Sequence, residues 1–171
     1  MKRTPWFDRT FLAVEDNGLL PGILERLEGT PHRLRALLAG VNRSSEVETG
    51  WSLAQELGHL NDLEPLWLRR AGDIVEGKAD LTVADLSNRK THESDHDRWP
   101  LAEHINRFER NRMAFIFRLR GASAEDLARA SKHPRLGTPM RLIDLAFFVA
   151  EHDDHHMAKL RELKGHSGTH S

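Results

Sequence analysis

Residues 141–163 read RLIDLAFFVAEHDDHHMAKLREL, and this stretch decides the fold class. Its apolar residues return every three or four positions, the period of an amphipathic helix. At about 100° per residue, His152 and His156 share an arc with Leu145, Phe148, Val149, Leu160 and Leu163, so both imidazoles are expected to face a bundle interior. Thr138-Pro139 supplies a cap and a proline suited to a first helical turn, and Lys164-Gly165 supplies a stop. The tail after it, GHSGTHS, reads as disordered.

Working outward, three further segments carry the same period. Leu19, Leu20, Ile23, Leu24 and Leu27, then Leu34, Leu37 and Leu38, form one apolar face that Thr30-Pro31 interrupts, giving either a kinked helix or two short helices in line. Ser52 followed by Gln55 is a capping box, and Leu53, Leu57, Leu60, Leu63, Leu66 and Trp67 extend its helix to about Ala71, where Gly72 is placed to end it. Pro65 predicts a bend in that helix. Leu101, Ile105, Phe108, Phe115, Ile116 and Leu119 mark another helix, closing near Gly121, with a short capped segment from Ser123 to Ala130 after it. No segment alternates convincingly as a strand, which predicts one all-α domain over residues 1–171, a four-helix bundle. Residues 85–98, DLSNRKTHESDHDR, hold one apolar residue in fourteen and read as a loop. The whole 72–100 connection is long enough to cross the bundle and permit a non-sequential topology.

Composition narrows the chemistry. Lys plus Arg number 25 and Asp plus Glu 26, a formal net charge of −1 that disfavours a general binder of nucleic acid or anionic membrane. The absence of cysteine excludes disulfides, thiolate metal sites and a cysteine nucleophile, so any metal rests on His, Asp or Glu. No apolar run approaches the roughly 18 residues of a membrane span, and MKRTPWFDRTF lacks the apolar run of a signal peptide, so a soluble cytoplasmic protein is expected.

Eleven histidines would give about 0.7 i,i+4 pairs by chance, and the chain has three. His92/His96 lies in the polar loop and His166/His170 in the tail, which leaves His152/His156. Two buried imidazoles one turn apart need partners, because an unsatisfied buried polar group costs about 1–3 kcal/mol. Either a metal satisfies both, or neighbouring side chains do, as in a hydrogen-bonded core pair or a pH-sensitive one. His59, at the edge of the second helix's apolar arc beside Leu63 and Leu66, is a third candidate ligand, and three imidazoles with one open position match the plan of catalytic metal sites. Such a donor set accepts zinc, nickel, iron, copper or manganese. Glu56-x-x-His59 has the spacing of di-metal carboxylate bundles, yet its only counterpart, Glu93-x-x-His96, falls in the polar loop. A serine hydrolase is disfavoured by the absence of a G-x-S-x-G elbow.

Two further expectations concern the cavity. The polar loop is expected to border it, with Asn88, Arg89 and Thr91 as substrate-binding candidates. Arg112 lies about 20° from Leu101 on the wheel, on an apolar face, so it either pairs with an inward acid such as Glu56, snorkels, or reaches the cavity to orient an anionic substrate.

The chain resembles the DinB-like superfamily over nearly its whole length. The matching pieces are Trp6-Phe7-Asp8-Arg9 with Phe11, Leu24-Glu25-Arg26-Leu27 with Thr30-Pro31, Trp51-Ser52 leading to Gly58-His59-Leu60, Asp85-Leu86-Ser87-Asn88-Arg89, and Glu151-His152-Asp153-Asp154-His155-His156. The resemblance implies a four-helix bundle with a crossed-over connection, a divalent metal on His59, His152 and His156, and frequently a homodimer. His155 matches a further histidine that is not a ligand. Members of known activity use low-molecular-weight thiols, which implies a thiol S-transferase with a thiol cosubstrate, or else a metal-dependent hydrolase, acting on a small molecule. The competing class is a helical binding or stress-response module holding a structural metal or none.

Overall fold

The computed structural model describes residues 3–41 and 50–167. Four long helices form it: α1 (Leu20–Leu37), α2 (Leu53–Val75), α4 (Leu101–Arg120) and α6 (Leu142–Ser167), with short helices α3 (Arg89–Glu93) and α5 (Ala124–Ala128) in the connections. α1 packs beside α4 and α6, and α2 packs beside the same two. Consecutive helices α1 and α2 therefore stand at opposite corners. No helix among the described residues is long and apolar enough to cross a membrane.

The apolar core divides into two halves. One contains Leu27, Trp67, Phe115 and Val149; the other contains Leu34, Leu57, Phe108 and Leu160. Every long helix contributes to both, so the order of its residues gives its direction: α1 and α6 run from the first half to the second, α2 and α4 from the second to the first. α2 and α4 are thus parallel neighbours, and the connection between them must return the length of the bundle. Between the halves lies a buried polar belt of Thr30, His59, Glu64, Arg112, His152, Asp153 and His156.

Local chemistry explains where the elements differ from the sequence expectations. α1 is one helix, because Leu27, Thr30, Pro31 and Leu34 are buried together on its core face and the Thr30 hydroxyl lies 3.0 Å from the Arg26 carbonyl. α2 passes through Pro65 and also through Gly72, ending at Val75. Its stop is Gly77, at φ 70°, where the Gly77 N–H donates to the Ile74 carbonyl and the Lys78 N–H to the Asp73 carbonyl, a Schellman closure. Gly72 carries no positive φ and is simply buried.

Thr138-Pro139 does not open the last helix. Pro139–Arg141 is strand β2, antiparallel to β1 (Ala130–Lys132), and α6 begins at Leu142 with the Asp144 carboxylate accepting the Arg141 N–H. A three-residue strand is too short to leave an alternating signature. α6 extends past Gly165 to Ser167, so residues 165–167 of the expected tail are helical; residues 168–171 lie outside the described residues. The polar 85–98 segment is likewise ordered into α3 and a 3₁₀ turn at His96–Arg98, both packed on α2.

Candidate metal centre

α2 and α6 bring His59, His152 and His156 together, each 5% exposed or less, with one ring nitrogen from each lying within 4.8 Å of the others. Local contacts fix the hydrogens on two of the rings. Thr91 Oγ1 gives its single hydrogen to Asp62 Oδ2 at 3.0 Å, so at 3.2 Å from His59 it accepts from Nδ1–H. The Glu56 carboxylate, with Lys159 Nζ 3.6 Å away, accepts from His156 Nδ1 at 2.5 Å. Both rings are thereby left with a bare Nε2 lone pair, the orientation by outer partners that metal-bound imidazoles show. His152 Nε2 lies 3.1 Å from His156 Nε2, and His152 Nδ1 is buried with no hydrogen-bond partner. With its hydrogen on Nε2, His152 donates to the His156 lone pair; with the hydrogen on Nδ1, both Nε2 atoms offer lone pairs to a cation.

Electrostatics keeps these groups in the ligating form. Burial lowers the His59 pKa to about 4 and drives those of His152 and His156 well below the usual histidine value, with the neighbouring imidazoles adding to the effect on the latter two. All three are neutral at pH 7, as a metal requires. Three neutral nitrogens converging with their outer hydrogens already oriented fit a mononuclear divalent ion. The Glu93-x-x-His96 half of a di-metal plan is absent from this group: His96 is paired with Asp62 at 3.1 Å. Gly58 permits that pairing, since a Cβ there would sit 2.3 Å from His96 Nδ1.

The three imidazoles line a cavity of about 320 Å³, walled largely by Trp6, Trp51, Leu63, Leu66, Trp67 and Phe148. Of the loop candidates, Asn88 lines this cavity, together with Asp85 and Leu86. Thr91 acts one step back, through the His59 ring. Arg89 is exposed and does not line the cavity.

Arg112 does not line it either. It is 1% exposed, with Nη2 2.7 Å from Glu64 Oε1, Nη1 2.6 Å from Asp153 Oδ2, and its guanidinium over the Phe108 ring. The acid it meets is Glu64 rather than Glu56, whose carboxylate is taken by His156 and Lys159. The two carboxylates raise the Arg112 pKa against a large burial penalty.

Sequence reasoning missed Arg70 and Arg135, which line the cavity with His133. Arg70 is seven residues from Leu63 on α2, a spacing that places it on the apolar arc. Arg135 sits between the two short strands, where no periodicity marks it.

Comparison with known proteins agrees with this architecture. No curated protein shows significant sequence similarity. Among solved structures, YfiT from Bacillus subtilis superposes with a TM-score of 0.77 at 18% identity, covering 94% of each chain, and is described as a probable metal-dependent hydrolase with an unusual four-helix bundle topology. The family model of the DinB superfamily matches residues 26–160, a span that holds α2 and α4 whole, the larger part of α1 and α6, and all three histidines, and the chain belongs to that superfamily.

Proposed function

We propose that the protein is a mononuclear metal-dependent hydrolase of small molecules, with His59, His152 and His156 as the ligands. The observation that carries this reading is the convergence of three neutral imidazoles at a cavity, two of them oriented by Thr91 and Glu56. The description of YfiT supports the reaction class. A divalent ion held there supplies a Lewis acid and lowers the pKa of its bound water. The chain's own residues do the rest. Thr91 and Glu56 hold the hydrogens of His59 and His156 on Nδ1, so that both Nε2 atoms face inward. Trp51, whose ring centroid is 4.7 Å from that of His59, and Trp6, 5.0 Å from that of His152, cover the imidazoles and limit water around them. Asn88 places an amide at the cavity wall, where it can hold a polar group of the substrate.

The test compares chelator-treated protein with protein reloaded with zinc, nickel, iron or manganese, on a panel of small esters, amides and lactones. Metal-dependent hydrolysis without added thiol is the expected result. Turnover of electrophiles only when a low-molecular-weight thiol is present would move the assignment to S-transfer, with the thiol as cosubstrate because the chain has no cysteine. No metal-dependent turnover in either arm, with stoichiometric metal bound, would return the protein to a binding role.

Removing the outer support of one ligand gives a graded effect. Thr91→Val deletes the hydroxyl between His59 and Asp62 while preserving shape, and metal affinity is expected to fall about 10–100-fold. Competition titration against a chromophoric chelator measures it, with circular dichroism confirming unchanged helicity. An unaltered affinity would show that Thr91 does not orient His59.

A further inference from the structure

The cavity that holds the three histidines also holds a second polar cluster. Arg70 is 2% exposed, yet no carboxylate among the described residues pairs with it. Its Nε donates to the Thr82 carbonyl at 2.9 Å, its Nη1 lies 3.0 Å from His133 Nε2, and its guanidinium rests against the Trp67 ring. The nearest influential acid, Asp73, is occupied by Lys78, Arg69 and both the N–H and hydroxyl of Thr82. Arg135 stands on the same wall. Its Nη1 donates to the Phe7 carbonyl at 3.1 Å, and its Nη2 is buried with no partner.

His133 adds to the surplus of donors. Its Nδ1 lies 3.2 Å from the backbone N–H groups of both Arg135 and Leu136, and its Nε2 faces Arg70. A neutral imidazole carries one hydrogen, so on either nitrogen that hydrogen points at another donor. Burial lowers the pKa of His133 to about 4, so the ring does not take up a second proton at pH 7. Two guanidiniums, an imidazole and two backbone N–H groups are thus gathered with too few acceptors.

Arg112 shows what this protein does with a buried guanidinium it pairs internally: two carboxylates meet it. Arg70 has none, and burial lowers its pKa to about 10; burial lowers that of Arg135 as well. A buried guanidinium without a paired carboxylate is costly, and the field of Asp73 offsets the burial of Arg70 only in part. Aromatic rings join this cluster to the histidines: Trp67 touches both the Arg70 guanidinium and the His152 ring, and Phe148 touches both His133 and Trp67, with Leu63 and Leu66 also on the cavity wall.

We propose that Arg70 and Arg135 form an anion subsite, so that the substrate of the three-histidine site is a small molecule carrying a carboxylate or phosphate on an apolar body. This rests on the preceding reading for the reacting end of the cavity, but the anion subsite itself does not need the metal. Guanidinium forks suit both oxyanions, and the intervening aromatic wall suits a ring or chain between the anion and the reacting group.

The test uses benzoate, phenyl phosphate and neutral benzamide as probes, with affinity read by isothermal titration calorimetry. Each is titrated into the wild type and into His152→Leu, whose metal site is disabled, so that binding to a metal ion is separated from binding to the arginines. The expected result is that benzoate or phenyl phosphate binds both proteins more tightly than benzamide, and that Arg70→Met and Arg135→Met each weaken the anion about tenfold or more while leaving benzamide unchanged. Benzoate preference assigns a carboxylate, and phenyl phosphate preference a phosphate. Arg135 is only half-buried, so its variant keeps the test open if Arg70→Met fails to fold. Anion binding that disappears in His152→Leu, or that survives in Arg135→Met at wild-type strength, overturns the subsite and leaves the hydrolase reading standing. Loss of metal-dependent turnover with the subsite intact does the reverse.

Discussion

Arg112→Met is expected to lower the stability of the fold by about 3–5 kcal/mol, the cost of leaving a buried ion cluster without its cation. Arg112, Glu64 and Asp153 are 1%, 3% and 0% exposed, so water cannot replace the guanidinium. The cluster spans the bundle: Arg112 belongs to α4, Glu64 to α2, Asp153 to α6, and Thr30 of α1 donates its hydroxyl to Asp153 at 2.9 Å. Removing the cation strands two carboxylates between the two halves of the core. Burial already raises the Glu64 pKa with Arg112 present. Against a total stability of about 5–15 kcal/mol for an ordinary domain, such a loss is a large share. Urea unfolding followed by circular dichroism measures it, and a loss below about 1 kcal/mol would mean the cluster does not tie the helices. The triple variant Arg112→Met, Glu64→Leu, Asp153→Leu is expected to recover most of the deficit, because an apolar set of similar volume needs no counter-charge.

His152→Leu is expected to abolish the thermal stabilisation that a divalent metal gives the wild type. A ligand that binds only the folded state at about 1,000 times its dissociation constant adds about 4 kcal/mol, and removing one of three ligands exceeds the ~10–100-fold effect of an outer partner. His152 is the cleanest of the three to replace. Its Nδ1 has no partner and its Nε2 meets the His156 ring, so leucine there removes that one contact, whereas replacing His156 takes the donor from Glu56 and replacing His59 takes the donor from Thr91. The His152 ring packs at steep angles to Trp6 and Trp67, surroundings that accept a leucine. Metal-free stability should therefore change by less than about 1.5 kcal/mol. Differential scanning fluorimetry with and without zinc or nickel reads both effects. An equal metal-induced rise in the variant would place the metal elsewhere.

The two arginines reach opposite outcomes from similar sequence evidence. Arg112 and Arg70 both interrupt apolar arcs of helices, which marks each as inward-facing. The arc says nothing about what stands across the bundle. Arg112 meets Glu64 and Asp153; Arg70 meets a carbonyl oxygen and a histidine ring. Likewise Gly72, the expected stop of α2, is buried inside the helix, and the stop falls at Gly77, whose positive φ closes the turn.

By itself the sequence determined the four helices, the inward facing of His152 and His156, and the place of His59 at the edge of its own helix's apolar arc, because helical period is a local property carried by residues three and four apart. Tertiary structure decided which partners those faces meet. The return connection makes α2 and α4 parallel neighbours, sets His59 of α2 against the α6 pair, and folds Thr91 onto His59 across 32 residues of chain. It also brings Arg135, from a turn with no periodic signal, to the wall that Arg70 lines. Contacts between residues distant in sequence depend on the order and direction of the helices. Apolar periodicity is the same for every arrangement that buries the same faces, so only the assembled bundle distinguishes a guanidinium matched by two acids from one left to an outside anion.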